Sequence, residues 1–129
     1  MSGRLVHFEI PFDDGERARA FYREAFGWSV MTMPEMDYTM VSTGPSSEEG
    51  GPSEAGYIGG GMLQRSAVQQ APVVTIDVDD IDAALEKIES LGGKTVVPRQ
   101  PVGGMGFTAY FTDTEGNLTG LWQTTPQAG

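Results

Sequence analysis

Apolar and polar residues alternate near the start of the chain, over residues 4–12 (RLVHFEIPF). A period of two is typical of a β-strand with one face packed and the other open. We expect the packed face to carry Val6, Phe8 and Ile10, and the opposite face to carry Leu5, His7 and Glu9. This strand therefore places the single histidine of the sequence on the same face as a carboxylate.

The pattern then changes to the period of a helix. An apolar stripe recurs at the spacing that one helix face requires, and it consists of Ala18, Phe21, Tyr22, Ala25 and Phe26. Either Asp13 or Asp14 is placed to cap the first turn of this helix. Gly27 is placed to end it, because glycine readily adopts the left-handed backbone of a helix C-terminus.

Three further strands are predicted after the helix. Residues 28–33 and 38–43 form a hairpin that turns at Pro34–Asp37, and residues 57–63 (YIGGGML) form the last strand. The intervening residues 44–56 are rich in Gly, Pro, Ser and Glu, which is typical of an exposed loop. The glycines of the last strand weaken it, but they allow a ligand or another backbone to come close.

The second half of the chain repeats this order of elements. Residues 73–78 (VVTIDV) predict a strand whose face away from the helix carries Val73, Thr75 and Asp77. A helix stripe follows, made of Ile81, Ala84, Leu85 and Ile88, and three strands come after it. Asp80 takes the place that Asp14 has in the first half. The chain therefore predicts a βαβββ unit that has been duplicated.

Composition limits the organisation and the partners of the protein. The 129 residues predict a single domain over 1–129, with modules at about 4–63 and 73–125. A net charge of −10 disfavours nucleic acid and anionic membrane surfaces. Without cysteine there are no disulfides and no thiolate zinc sites. No apolar stretch approaches the roughly 20 residues of a membrane span, and no signal peptide is evident, so we expect a cytoplasmic protein.

Three segments carry a resemblance to a known superfamily. They are the first strand with His7 seven residues before Asp14, the segment ARAFYREAFGW at 18–28, and the segment DTEGNLTGLWQ at 113–123. With the duplicated βαβββ unit, they resemble the vicinal oxygen chelate superfamily of glyoxalase I, bleomycin-resistance proteins and extradiol dioxygenases, and most closely its small glyoxalase-like proteins. The resemblance implies an α+β fold in which both modules form one cupped, mixed β-sheet with helices outside. It also implies a ligand in the cup and a homodimer.

The resemblance further implies where a metal would lie. Enzymes of this superfamily hold a divalent metal with one ligand from the first strand and one from the last strand of each module. The four matching positions are His7, Gly60, Val73 and Gly120. Since valine and glycine have no ligating side chain, we expect no glyoxalase-type metal centre and no cofactor. A weaker alternative would bind a metal through His7, Glu9 and Asp77.

The predicted cup combines apolar walls with a few polar groups, as small-molecule pockets usually do. Its predicted ligand-binding residues are His7, Glu9, Ile58, Gly60, Met62, Thr75, Asp77, Gly120 and Trp122. Val73 and Leu118 are expected on the same face.

These features leave three functional hypotheses. The first is metal-independent binding of a small, partly apolar or cationic molecule, as in the bleomycin-resistance branch. The alternative is a lyase, isomerase or dioxygenase-type enzyme acting on a small carbonyl compound, with His7 and Glu9 as acid–base groups or partial metal ligands. The third is an interaction module whose cup serves a dimer interface. The sequence names neither a ligand nor a reaction.

Overall fold

The structure is a computed structural model of the chain, and it describes residues 3–45 and 56–125. Positions 46–55 of the predicted loop lie outside the described residues. The chain divides into two compact units. One unit is His7–Pro72, and the other combines the residues up to Val6 with those from Val73 onward. The division cuts the first strand, so that its first residues belong with the second repeat.

The described residues of the first repeat form one strand, one helix and three further strands. The elements are β1 (Leu5–Phe12), α1 (Gly15–Phe26), β2 (Ser29–Met33), β3 (Tyr38–Ser42) and β4 (Gly59–Gln64), with a 3-10 turn at Pro34–Met36. Their order across the sheet is β2-β3-β4-β1. β1 and β4 are parallel, and the other neighbours are antiparallel. The predicted hairpin and its turn are confirmed.

Local hydrogen bonds fix both ends of α1. A carboxylate oxygen of Asp14 accepts the backbone N–H of Arg17 at 3.1 Å, so Asp14 rather than Asp13 is the N-cap. Gly27 follows the helix in the left-handed conformation, with φ at 73°. Its N–H donates to the carbonyl of Arg23, which satisfies a group that the end of the helix would otherwise leave unpaired.

The helix packs on the predicted apolar side of β1. The ring of Phe8 lies 5.8 Å from that of Trp28, which in turn stacks on Tyr22 of α1 at 4.9 Å. On the same side, Arg19 of α1 donates a hydrogen bond to the hydroxyl of Thr39 in β3. The opposite face of this sheet therefore carries His7 and Glu9, as the alternation predicts.

The second repeat has the same connectivity. Its elements are β5 (Val73–Asp77), α2 (Ile81–Ser90), β6 (Lys94–Val102), β7 (Gly106–Thr112) and β8 (Leu118–Thr124). Their order across the sheet is β5-β8-β7-β6, with β5 and β8 parallel. Asp80 caps α2 through the N–H of Ala83. The core of this unit is formed by Ile81, Leu85, Ala109, Phe111 and Leu121. Gly3 and Arg4 pair with Asp77 of β5 through backbone hydrogen bonds.

The predicted α+β class and the βαβββ order of both repeats are confirmed in the described part of the chain. The equivalent placement of Asp14 and Asp80 is confirmed as well, because each caps the helix of its own repeat. Among the described residues, no helix is both long and apolar enough to cross a bilayer.

Strand pairing corrects the predicted alignment of the two repeats by one residue. Thr75 of β5 pairs with Gly120 of β8, and the equivalent residue of β1, Glu9, pairs with Gly61 of β4. Gly61, and not Gly60, is therefore the counterpart of Gly120. The error has a physical cause, because three consecutive glycines have no alternation of side chains that could specify a register.

Two glycines that lie two positions apart provide a test of the packing in the second unit. A Cβ added at Gly106 would overlap the carbonyl oxygen of Gln123 and the ring of Trp122, whereas a Cβ at Gly104 would meet nothing within 4 Å. We expect Gly106→Ala to lower the free energy of unfolding by about 1–3 kcal/mol. Gly104→Ala should change it by less than about 0.5 kcal/mol. Urea unfolding followed by circular dichroism measures both, and equal effects would contradict this packing.

Candidate functional site

A chain of hydrogen bonds joins four polar side chains of the first unit. His7 Nε2 lies 2.8 Å from the hydroxyl of Tyr38, which donates to Glu9 Oε2 at 2.8 Å. The other carboxylate oxygen of Glu9 accepts a hydrogen bond of 2.9 Å from the carboxamide of Gln69. These four residues come from β1, β3 and the connector after β4, so only the folded sheet brings them together.

The four residues differ in their access to solvent. Glu9 is 8% exposed and Gln69 is 4% exposed, whereas His7 and Tyr38 are half-buried. A molecule that approaches this face therefore meets the imidazole and the phenol, with the carboxylate beneath them. We call this surface, opposite α1 and carrying His7, Glu9 and Tyr38, the His7 face.

Burial keeps the imidazole of His7 neutral near pH 7. Loss of hydration is the larger effect, and it lowers the pKa of His7 below its ordinary value of 6.5. The negative charge of Glu9 acts in the opposite direction and raises this pKa, but it does not outweigh burial. The neutral ring has one N–H and one acceptor nitrogen, so it can both donate and accept a hydrogen bond.

Tyr38 occupies the space that the last-strand side chain of this repeat would need. A Cβ added at Gly61 would overlap the hydroxyl and ring of Tyr38. On the other side of the sheet, a Cβ added at the adjacent Gly60 would overlap the ring of Phe8. The glycines of β4 therefore accommodate aromatic side chains. This corrects the expectation that Gly60 opens room for a ligand.

The structure places the predicted site residues of the first unit on two different faces. His7 and Glu9 lie together on the His7 face. Gly60 and Met62 lie on the face that packs against α1, since Met62 pairs with Thr39 and is fully buried. Their predicted place beside His7 is therefore wrong, and the one-residue error in register is the cause. Ile58 precedes β4, and its carbonyl accepts a hydrogen bond from Thr43.

The four predicted site residues of the second unit lie on one face. Thr75 pairs with Gly120 and Asp77 pairs with Trp122, on the side away from the core under α2. Thr75 is only 6% exposed, and its hydroxyl would lie 2.9 Å from a Cβ added at Gly120. Here too a neighbouring side chain takes the space beside the glycine. The indole N–H of Trp122 donates to Thr124.

Two members of the hydrogen-bonded chain were not predicted from the sequence. Tyr38 lies at the start of β3, and the run of glycines in β4 was a usable signal that a bulky group comes close there. Gln69 belongs to the connector between the repeats, where no periodic pattern exists. Nothing in the sequence indicates that its side chain turns inward to a carboxylate.

The donor set does not fit a glyoxalase-type metal centre. In the residues that the structure describes, no group of three or more His, Cys, Asp and Glu side chains is arranged to hold a metal ion. Of the two metal-ligand positions of the first repeat, one is His7 and the other, after the correction of register, is Gly61. In this unit, His7 and Glu9 both bond to the Tyr38 hydroxyl.

Comparisons with known proteins show similarity to bleomycin-resistance-like and glyoxylase-like proteins. A family model described as bleomycin resistance protein-like N-terminal matches residues 4–44. A glyoxylase-like domain-containing protein of Didymella fabae is 30% identical over 127 residues, which covers 91% of each chain. Two mycobacterial proteins, which are provisionally named as the glyoxylase CFP32, are 28% identical to this chain over 94% of its length. One is from Mycobacterium bovis and the other is from Mycobacterium tuberculosis. The chain spans about half the length of these mycobacterial relatives, since the match covers 46% of each.

A solved structure shares the fold at low sequence identity. A variant of Streptomyces coelicolor methylmalonyl-CoA epimerase, in complex with 2-nitronate-propionyl-CoA, superposes with a TM-score of 0.67. The two chains are 17% identical, and the superposition covers 98% of this chain and 100% of the epimerase chain. At this identity the likeness concerns the fold.

The lowered pKa of His7 predicts how stability depends on pH. The unfolded chain binds a proton at His7 near pH 6.5, while the folded chain resists it, so acidification through this range favours unfolding. We expect the free energy of unfolding of the wild type to fall, relative to His7→Gln, as the pH decreases from about 7.5 to about 5. Urea titrations at each pH measure the difference. Because the sequence has a single histidine, a constant difference would contradict this assignment.

Proposed function

Because the chain belongs to the glyoxalase-like family of the vicinal oxygen chelate superfamily, we propose that it binds a small molecule on the His7 face without a glyoxalase-type metal centre. The observation that carries this proposal is the hydrogen-bonded chain from His7 through Tyr38 to Glu9. It supplies polar groups that converge on one spot of the His7 face, and such groups orient ligands in small-molecule sites.

Two methionines support a ligand that is partly apolar. Met40 lies two residues after Tyr38 and pairs with Gly61, so it shares the His7 face. Met31 of the edge strand β2 pairs with Met40. The two side chains are 67% (Met31) and 37% (Met40) exposed. Flexible, polarisable methionines of this kind adapt to ligands of different shape.

The charges of the site favour a cationic ligand or a strong hydrogen-bond donor. Both oxygens of Glu9 accept hydrogen bonds, as an ionised carboxylate does. The imidazole beside it is held neutral, so it does not offset this negative charge. The net charge of −10 over the whole chain acts in the same direction at longer range.

A ligand screen with matched variants tests this proposal. Thermal shift across a panel of small amines, antibiotics and metabolites should give hits whose affinity titration calorimetry then measures. We expect Tyr38→Phe to weaken binding ~10-fold or more, because it removes the hydroxyl that holds His7 and Glu9 in one arrangement for the ligand. Met31→Ser should weaken binding as well.

The control is Thr32→Ala, on the same edge strand but at a position that pairs with Thr39 on the opposite face. It should leave the affinity unchanged. A panel without any hit, or hits that Tyr38→Phe and Met31→Ser do not weaken, would contradict binding at the His7 face.

A second candidate function is proton transfer next to a carbonyl group. It is favoured by the direct contacts that link His7 to the buried Glu9 through one hydroxyl, and the shared fold of an epimerase is consistent with it. A C–H proton of the substrate would pass to the imidazole, the Nε2 hydrogen to Tyr38, and the hydroxyl hydrogen to Glu9. The electron pair of the broken bond would delocalise into the carbonyl as an enolate. Water on the opposite face would then return a proton to the carbon with inversion, and the hydroxide formed would be neutralised by the proton that Glu9 holds.

Deuterium exchange tests this enzyme hypothesis without knowledge of the natural substrate. Protein treated with a chelator, and shown by elemental analysis to carry no stoichiometric metal, is incubated in D₂O with methylmalonyl-CoA and with simple α-hydroxy ketones. Proton NMR should show loss of the hydrogen beside the carbonyl, slowed ~10²-fold or more in His7→Ala. Equal exchange by wild type and His7→Ala would exclude this role for His7. Exchange by untreated protein that is absent from the chelator-treated protein would overturn the metal-free proposal.

A further inference from the structure

The connector between the repeats is anchored so that one of its side chains enters the site. The hydroxyl of Ser66 accepts the N–H of Gln69 at 3.0 Å, and the N–H of Ser66 donates to the carbonyl of Gln69 at 3.3 Å. These two bonds close a turn that directs the Gln69 side chain inward. The adjacent Val68 is 48% exposed and Gln69 is 4% exposed, so the inward direction is specific to one residue.

Arg65 fixes the same connector to the end of β1. Its N–H donates to the carbonyl of Phe12 at 2.8 Å, and its Nε pairs with Asp13 at 2.9 Å. Its guanidinium also donates to the carbonyl of Gln70, on the far side of the turn. The turn that carries Gln69 is therefore held at both of its ends.

The direction of the hydrogen bonds assigns the hydrogen on His7. Gln69 donates to one oxygen of Glu9, and Tyr38 donates its hydroxyl hydrogen to the other. The phenol oxygen then meets His7 Nε2 at 2.8 Å as an acceptor, which requires that Nε2 carries the hydrogen of the ring. In a neutral imidazole, Nδ1 is then the acceptor nitrogen.

We propose that Gln69 is a positioning residue that sets the tautomer of His7 through Glu9 and Tyr38, so that the imidazole presents Nδ1 as a hydrogen-bond acceptor. The carboxamide holds Glu9 with one oxygen toward the connector and the other toward Tyr38. This arrangement selects ligands that offer a donor, such as an ammonium or amide N–H, to the ring. The ligand class rests on the proposed function, whereas the tautomer is a property of the protein alone.

Nitrogen NMR of the ¹⁵N-labelled full chain measures the tautomer directly, since the sequence has one histidine. At about pH 8, where a histidine of ordinary pKa is neutral, long-range proton–nitrogen correlations should show the Nε2–H form in the wild type. Gln69→Glu places a second carboxylate against Glu9, so the two share one proton at their contact. This proton takes the place of the carboxamide donor, and the other oxygen of Glu9 still accepts from Tyr38. We therefore expect Gln69→Glu to keep the Nε2–H pattern.

Gln69→Leu removes the donor without adding charge and should give a mixture of tautomers. The control is Gln70→Leu, one residue along the same turn, whose exposed side chain bonds only to the carbonyl of Ala67 within the described residues. It should retain the pattern of the wild type. Amide spectra of each variant report whether the fold is intact, and Gln69→Glu remains informative if Gln69→Leu does not fold.

An Nδ1–H form in the wild type would overturn the proposal. Retention of the wild-type pattern in folded Gln69→Leu, or its loss in folded Gln69→Glu, would overturn it as well. The measurement needs no ligand, so its failure is distinguishable from a failure of the proposed function. An Nε2–H tautomer that depends on Gln69, together with a ligand panel without hits, would support the positioning role and contradict binding.

Discussion

The hydrogen bond between the Tyr38 hydroxyl and Glu9 is the interaction on which the site depends. A carboxylate that is only 8% exposed is costly unless its oxygens are paired, and Tyr38 and Gln69 pair one oxygen each. The same hydroxyl meets His7, so one phenol links the accessible imidazole to the buried charge. Among the described residues, no buried side-chain nitrogen or oxygen lacks a partner, and the network carries no unpaired polar group there.

A glycine makes this hydrogen bond possible. Gly61 of β4 pairs with Glu9 of the neighbouring strand β1, and any side chain at Gly61 would overlap Tyr38. The resemblance to the vicinal oxygen chelate superfamily implies a metal-binding carboxylate residue at this position of the last strand. A side chain at Gly61 and the ring of Tyr38 therefore exclude each other, because the sheet has room for one of them. With glycine at this position, the hydroxyl of Tyr38 reaches His7.

The two repeats share one scaffold but differ at the positions of His7 and Glu9. Asp14 and Asp80 cap equivalent helices, and the strand order is the same in both units. At the positions of His7 and Glu9, the second repeat has Val73 and Thr75, which are 2% and 6% exposed. These two positions of the second unit are buried and carry no titratable group, whereas the first unit keeps a half-buried imidazole. The proposed binding and proton-transfer chemistry therefore belongs to one repeat.

The sequence by itself determined the order of the elements, the α+β class and the pair His7 and Glu9, and it limited the cap of the first helix to Asp13 or Asp14. Those features are local, because alternation, helix periodicity and capping residues act over a few positions. Only the tertiary structure decided the register of β4, since the glycines at 59–61 have no side chains that could prefer one face. The tertiary structure also decided which side chains form hydrogen bonds with His7 and Glu9. Tyr38 and Gln69 lie 29 and 60 residues from Glu9 along the chain, and only the pairing of strands and the anchored connector bring them to the same carboxylate.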